Sequence, residues 1–244
     1  MTKKRKKRKR KLSKIAVLLG ICIILLACCI SGLVFLACSS NRNGKVVIAL
    51  DAGHDNTNPG FTGIVTEYEY TSKMVDELNT LFKEDNHFEV VLTHNADEDK
   101  PLGKRVETIK NADLVLTIHA SYSGDASISG THIIAEPTNK KGHDESIEVA
   151  SKIGEKLENS TVCYAYYEPI KENEYAIKYV DINDETEYEY ETMEFMEATD
   201  IPVVQIEGMY VSSQSDVDTY MSEESIHSVA QNIYEAIKSV YVKE

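Results

Sequence analysis

The sequence predicts a single α/β domain, with a mostly parallel or mixed central sheet flanked by helices, preceded by one N-terminal transmembrane helix. Three observations predict it. Residues 15–37 contain no charged side chain. Further on, the runs VVIAL, LVLTI and PVVQI are continuous apolar blocks, the pattern of strands covered on both faces. Between them, apolar residues recur three and four apart, the period of an amphipathic helix.

The N-terminal elements come first. Residues 1–14 carry ten Lys/Arg and no acid. Residues 15–37 form an uncharged stretch of about 35 Å as a helix, enough for a hydrocarbon core of about 30 Å. Basic residues stay on the cytoplasmic side, so the N-terminus is expected inside and everything after about residue 38 outside. The apolar region exceeds the usual 7–15 residues of a cleaved signal, which favours an uncleaved signal-anchor. Two stretches, Leu25-Leu26-Ala27-Cys28 and Phe35-Leu36-Ala37-Cys38, resemble a bacterial lipoprotein processing box. The expected organisation is a basic cytoplasmic arm at 1–14, a membrane span at 15–37, a polar linker at 38–44 and an extracellular domain at 45–244.

Charge is divided just as sharply. Ten of the 26 basic residues lie in the arm and Arg42 is one more, leaving 15 against all 40 acids, a net charge of −25 on residues 45–244. So acidic a body lacks the clustered Lys/Arg that nucleic-acid phosphates require, and no nucleic-acid partner is expected. Four of the five cysteines fall at or before Cys38, so Cys163 has no partner within the domain and no disulfide framework is expected.

Within the domain, strands are expected at Val46–Asp51, Phe88–Thr93, Leu114–His119, Thr131–Ala135 and Val203–Glu207. Helices are expected near Glu67–Lys83, Leu102–Lys110, Asp144–Glu158 and Ser222–Val242. Glu187-Tyr188-Glu189-Tyr190-Glu191 alternates strictly, which predicts a strand with acids turned to solvent and tyrosines turned inward.

Three ionisable residues close buried strands, and open α/β sheets bind ligands at the carboxyl ends of their strands. Val47-Ile48-Ala49-Leu50-Asp51 runs out into Ala52-Gly53-His54, Leu114-Val115-Leu116-Thr117-Ile118 into His119, and Pro202-Val203-Val204-Gln205-Ile206 into Glu207. A single histidine at a strand end is more often hydrogen-bonded than metal-bound. Two histidines and carboxylates converging from several strand ends suit Zn²⁺. The remaining histidines (His87, His94, His132, His143 and His227) read as surface or capping residues, with His132 kept as a pocket candidate.

Taken together these segments resemble the zinc-dependent N-acetylmuramoyl-L-alanine amidases, bacterial cell-wall hydrolases. The resemblance rests on Asp51-Ala52-Gly53-His54, Asn58-Pro59-Gly60, Thr117-Ile118-His119-Ala120-Ser121 and Pro202-Val203-Val204-Gln205-Ile206-Glu207-Gly208-Met209, in family order across residues 46–240. It implies His54 and His119 as zinc ligands and Glu207 as the catalytic carboxylate. It also implies a third ligand from Glu67 or Glu69. In a helix beginning at Glu67, that residue shares the inward face of Met74, Val75, Leu78, Leu81 and Phe82, whereas Glu69 turns to solvent. Glu67 is therefore the expected ligand. The chain departs from the family pattern at three places: Asp55-Asn56 for Gly-Gly, Ser121 for Asn, and Met209-Tyr210 at the corner after Glu207. They alter the pocket wall without removing a proposed ligand. Arg105 stands where the family often carries an arginine.

The implied activity is zinc-dependent hydrolysis of the amide between N-acetylmuramic acid and L-alanine in peptidoglycan, by a domain held at the membrane. The alternative is an inactive amidase-like domain that binds wall fragments or regulates a partner enzyme. A regulatory protein partner is compatible with either.

Overall fold

A computed structural model describes residues 44–95, 98–171, 174–190 and 194–242. The expected span at 15–37 lies outside the described residues, and among those described no helix is long and apolar enough to cross a membrane. Residues Val46–Glu244 form one compact unit. Its strands are β1 (Val46–Ala52), β2 (Phe88–Leu92), β3 (Leu114–Ser121), β4 (Thr131–Ala135), β5 (Ser160–Lys171), β6 (Glu174–Asp181), β7 (Glu187–Tyr190) and β8 (Val203–Tyr210). Its helices are α1 (Glu67–Glu84), α2 (Leu102–Thr108), α3 (His143–Gly154), α4 (Glu194–Ala198), α5 (Gln214–Tyr220) and α6 (Glu223–Tyr241).

All eight strands join one mixed sheet in the order β2-β1-β3-β8-β4-β5-β6-β7. Strands β2, β1, β3 and β8 run parallel, β4 is antiparallel to β8, and β5–β6–β7 close the far edge as antiparallel pairs. The sheet is thus mixed and helix-flanked. The first helix begins at Glu67 because Thr66 caps it. Its hydroxyl accepts from the Glu69 amide at 3.2 Å, while the Glu69 carboxylate accepts from the Thr66 amide at 2.8 Å.

Period-two alternation gives the sheet two different faces. One carries Ile48, Leu50, Leu114, Leu116, Ile118, Ile133, Val204 and Ile206, and is covered by α1, α3 and α6 through Met74, Leu78, Phe82, Val149, Ile153, Ala230 and Ile233. The other begins with Val47, Ala49, Val115, Ile134 and Val203 against Ile109, Ala112, Phe195 and Met196. On the same alternation its next positions are Asp51, Thr117, His119, Gln205, Glu207 and His132. Among the described residues, the helices on this face are α2 and α4, seven and five residues long, so its polar half is left without a helical cover.

Several elements differ from the sequence-based expectation. Helices α2 and α3 end earlier, at Thr108 and Gly154, and β3 and β8 run on to Ser121 and Tyr210. Strands β5 and β6 and helices α4 and α5 were not foreseen. The strict Glu/Tyr alternation does form a strand, β7, with Glu187 exposed and Tyr188 stacked on Tyr179 at 4.9 Å between ring centroids.

At the other end of β4, Glu136 is fully buried, and neither carboxylate oxygen has a hydrogen-bond partner among the described residues. Burial pushes its pKa up to about 7. The folded protein therefore holds a proton that the unfolded chain releases near pH 4.5, and stability falls as pH rises from there through about 7. Glu136→Gln should raise the melting temperature at pH 8 and leave it nearly unchanged at pH 4, as read by calorimetry.

Candidate active site

The open end of the second face is a cleft of about 950 Å³. At its floor Asp51 receives hydrogen bonds from the hydroxyls of Thr93 and Thr117 and from Arg105 Nη1 at 3.4 Å. Arg105 also donates to the carbonyls of Lys100 at 2.7 Å and Ala52 at 3.3 Å, which ties α2 to the end of β1. This bridging explains why an arginine stands there.

Past β1 the chain turns abruptly. His54 sits in the left-handed region with φ of +66°, a conformation that costs a non-glycine residue about 1–3 kcal/mol. Asp55 helps to hold the turn, accepting from the Thr57 amide at 2.7 Å, the Thr57 hydroxyl at 2.6 Å and the Asn58 amide at 2.9 Å. Burial alone would raise the Asp55 pKa, but these hydrogen bonds outweigh it and hold the carboxylate below its usual range. The departure from glycine at position 55 thus makes a side-chain staple for the loop. His94, read as a surface or capping residue, is buried and faces backbone. Its Nδ1 lies 2.9 Å from the Thr93 hydroxyl and its Nε2 lies 3.3 Å from the His54 carbonyl. The reason is that β2 lies beside β1, so the residues after β2 fall next to Asp51 and His54.

The structure brings His54, Glu67 and His119 together. One potential ligand atom from each lies within 4.8 Å of the others. Glu67 Oε2 is 3.2 Å from His54 Nε2, and Oε1 is 3.0 Å from His119 Nδ1. The backbone amides of Ala120 and Phe61 donate to the two Glu67 oxygens at 3.0 and 3.1 Å. Glu67 is buried at the first position of α1, whereas Glu69 is exposed and occupied by the cap.

Electrostatics follow from this packing. Burial opposes charge on Glu67, but the hydrogen bond and charge of His119, then the charge of His54, keep its pKa below the ordinary value. Burial lowers the pKa of His54 despite the nearby Glu67 carboxylate. Burial works against a proton on His119 too, yet the hydrogen bond to Glu67 and the charge of Glu207 prevail and push its pKa up to about 9.

Glu207 is the Cα partner of His119 across β3 and β8, and also of His132 across β8 and β4, so all three share a row on one face. Glu207 is fully buried. Ser121 Oγ donates to its Oε2 at 3.0 Å and Gln205 Nε2 to its Oε1 at 2.8 Å. Ser121 and Gln205 themselves line the cleft. The serine that departs from the family pattern therefore stands between the cleft and the carboxylate. His132 is buried among Tyr179, Tyr188 and Tyr210, with ring centroids 4.8–6.1 Å away, and burial pushes its pKa down to about 4. It packs behind the cleft wall. Gln205 and the burial of His94 escaped sequence reasoning, as did the bond from Ser121, read only as a change in the pocket wall, to Glu207. For Ser121 and Gln205 the available signal was alternation with His119 and Glu207.

Comparison with known proteins decides the family. The family model described as N-acetylmuramoyl-L-alanine amidase matches residues 48–239. The chain belongs to that family. A relative from Buchnera aphidicola subsp. Baizongia pistaciae (strain Bp), named as a candidate N-acetylmuramoyl-L-alanine amidase, is 30% identical over 118 residues, 47% of this chain. That match spans 53% of the relative, so the chain covers about half its length. The catalytic domain of CwlV, the amidase from Bacillus (Paenibacillus) polymyxa var. colistinus, shares the fold with a TM-score of 0.60 and 23% identity, over 80% of this chain and 97% of that one. The CwlD amidase of Clostridioides difficile, solved in complex with the GerS lipoprotein, gives a TM-score of 0.60 at 19% identity, over 81% and 98%.

A substitution in the amidase loop gauges how tightly the cluster is held. Gly60 has φ of +68°, and a Cβ there would lie 2.4 Å from Glu67 Oε2 and 2.6 Å from His54 Cδ2. Gly60→Ala should therefore push Glu67 away from His54 and weaken any uptake of zinc by this cluster, measured by zinc titration.

Proposed function

We propose that this protein is a membrane-anchored, zinc-dependent amidase that hydrolyses the bond between N-acetylmuramic acid and L-alanine in peptidoglycan. The observation that carries the reading is the convergence of His54, Glu67 and His119 at the cleft, in a chain of the amidase family. Two imidazole nitrogens and one carboxylate make a mixed N/O donor set that suits Zn²⁺, whereas Ca²⁺ and Mg²⁺ prefer oxygen ligands throughout. When bound, zinc would supply Lewis acidity, which lowers the pKa of water and stabilises negative charge on a carbonyl oxygen.

The rest belongs to the side chains. Glu207 takes the proton of the attacking water across the Ser121 hydroxyl and returns it to the departing amide nitrogen, which converts a poor leaving group into an amine. Gln205 and Ser121 fix both oxygens of Glu207, so the base is oriented before substrate arrives. Glu67, His54 and His119 hold the metal, and the amides of Phe61 and Ala120 hold Glu67. A proton competes with zinc for His119, so zinc affinity should weaken as pH falls from about 8 to about 5. A competition assay with a chelator at each pH reads this directly.

The uncharged stretch at 15–37 and the basic arm before it support a membrane tether with the domain outside. The GerS complex of CwlD motivates a regulatory protein partner for this chain as well. The test is to incubate the full-length protein, in detergent and loaded with zinc, with purified sacculi. Free stem peptides beginning at L-alanine are the expected product in mass spectra. Their absence would favour the second reading, an inactive domain that binds wall fragments. One observation favours that reading: Glu207 is fully buried behind residues that line the cleft.

A further inference from the structure

The mouth of the cleft is aromatic on one part of its lining. Phe61 and Tyr122 both line it, and they remain 39% and 48% exposed, although large apolar side chains are usually covered. Their rings lie near-parallel, 23° apart, with centroids at 5.9 Å. Each ring is indexed to the reacting centre through its own backbone. The Phe61 amide donates to Glu67 Oε2, and the Glu67 amide donates back to the Phe61 carbonyl at 2.9 Å. Tyr122 follows Ser121, which holds Glu207, and the next amide, of Ser123, is tied to Ser212 Oγ at 2.9 Å. Of the charged residues in the lining, Asp99, Lys100 and Arg105 come from a different segment of the chain, whereas Asp55 and Glu67 flank Phe61 in its own loop and are engaged there, Asp55 by Thr57 and Asn58 and Glu67 by His54 and His119.

The substrate read above has two chemically different halves. A pyranose ring is uncharged and offers an apolar C–H face, whereas a stem peptide carries ionised groups. Flat aromatic surface with a polar hydroxyl at its edge suits the first. Resting on the amidase reading, we propose that Phe61 and Tyr122 form a platform for the pyranose ring of the muramoyl residue. The platform makes the enzyme select substrates that carry the sugar over those that carry only the lactyl-peptide. It also directs the stem peptide away from these rings.

The test compares wild type, Phe61→Ala, Tyr122→Ala and the double variant, all zinc-loaded, on two substrates. One is a disaccharide-peptide and the other is a lactyl-peptide that has the same scissile amide but no sugar. Each single variant should lower the ratio of kcat/KM, sugar substrate over sugar-free, by about three- to tenfold, mainly through KM. Phe61→Tyr should restore it. An unchanged ratio overturns the platform, including the case in which both activities fall together. A second measurement is NMR titration with the peptide-free disaccharide, which reads the platform without catalysis. Wild type should show shifts at the Tyr122 ring that the double variant loses. If the wild type binds the disaccharide but cleaves neither substrate, the amidase reading fails and the platform stands. If the disaccharide does not bind, the platform is wrong whatever the enzyme cleaves.

Discussion

Glu207→Gln should lower amide hydrolysis by about three orders of magnitude, the scale of a lost general base, while the protein folds and its zinc uptake stays at the wild-type level. The local chemistry makes this substitution clean. Glu207 accepts one hydrogen bond from Ser121 Oγ and one from Gln205 Nε2. A glutamine at 207 can keep the second through its carbonyl oxygen. It can keep the first by donating to the Ser121 hydroxyl, which accepts as readily as it donates. Ser121 and Gln205 both keep their hydrogen bonds to residue 207, so neither is left unsatisfied by the change. What is lost is the ability to take a proton. Turnover is measured by release of stem peptide from sacculi, fold by thermal melting and zinc by metal analysis of the same sample. Retained turnover would remove Glu207 as the base and shift attention to the cleft-lining residues.

The second large effect separates two neighbouring acids. Glu67→Ala should weaken zinc binding by at least about a hundredfold, beyond the range seen when only a supporting contact to a metal site is lost. It removes one donor of the cluster and leaves the amides of Phe61 and Ala120 facing a small void. Glu69→Ala should leave zinc affinity unchanged and destabilise the fold by about 0.5–2 kcal/mol, because it opens the capping box at Thr66 on an exposed turn. Zinc titration and denaturant melts of the two variants read these outcomes independently. Equal loss of zinc in both would show that the first turn of α1 must be intact, rather than that Glu67 is a ligand.

How much of this was legible in the sequence depends on the range of the interaction involved. Strands β1, β3, β4 and β8 were legible because burial on both faces leaves unbroken apolar runs. The inward face of α1 was legible from its apolar spacing, which separates Glu67 from Glu69 in a helix that begins at Glu67; the Thr66–Glu69 cap that sets this start is seen only in the structure. The β5–β6 pair was not legible. Charged residues interrupt both strands, so no unbroken apolar run marks them, although Val162, Cys163, Ala165 and Tyr179 reach the core once the strands pair. Nor was the row His119–Glu207–His132, which depends on the register of three strands distant in sequence. The burial of His94 depends in the same way on β2 lying beside β1. Family resemblance supplied the roles of the site residues. The sequence alone placed His54, His119 and Glu207 at or just past the ends of buried strands and Glu67 on the inward face of a helix.

The central claim is that His54, Glu67 and His119 bind one zinc ion. X-ray absorption at the zinc edge, on full-length protein loaded with one equivalent, tests it most directly. The account predicts two imidazole nitrogens and at least one carboxylate oxygen around the ion, with one imidazole lost in His119→Ala and the carboxylate lost in Glu67→Ala. A spectrum without histidine scattering, or one unchanged in both variants, would contradict it.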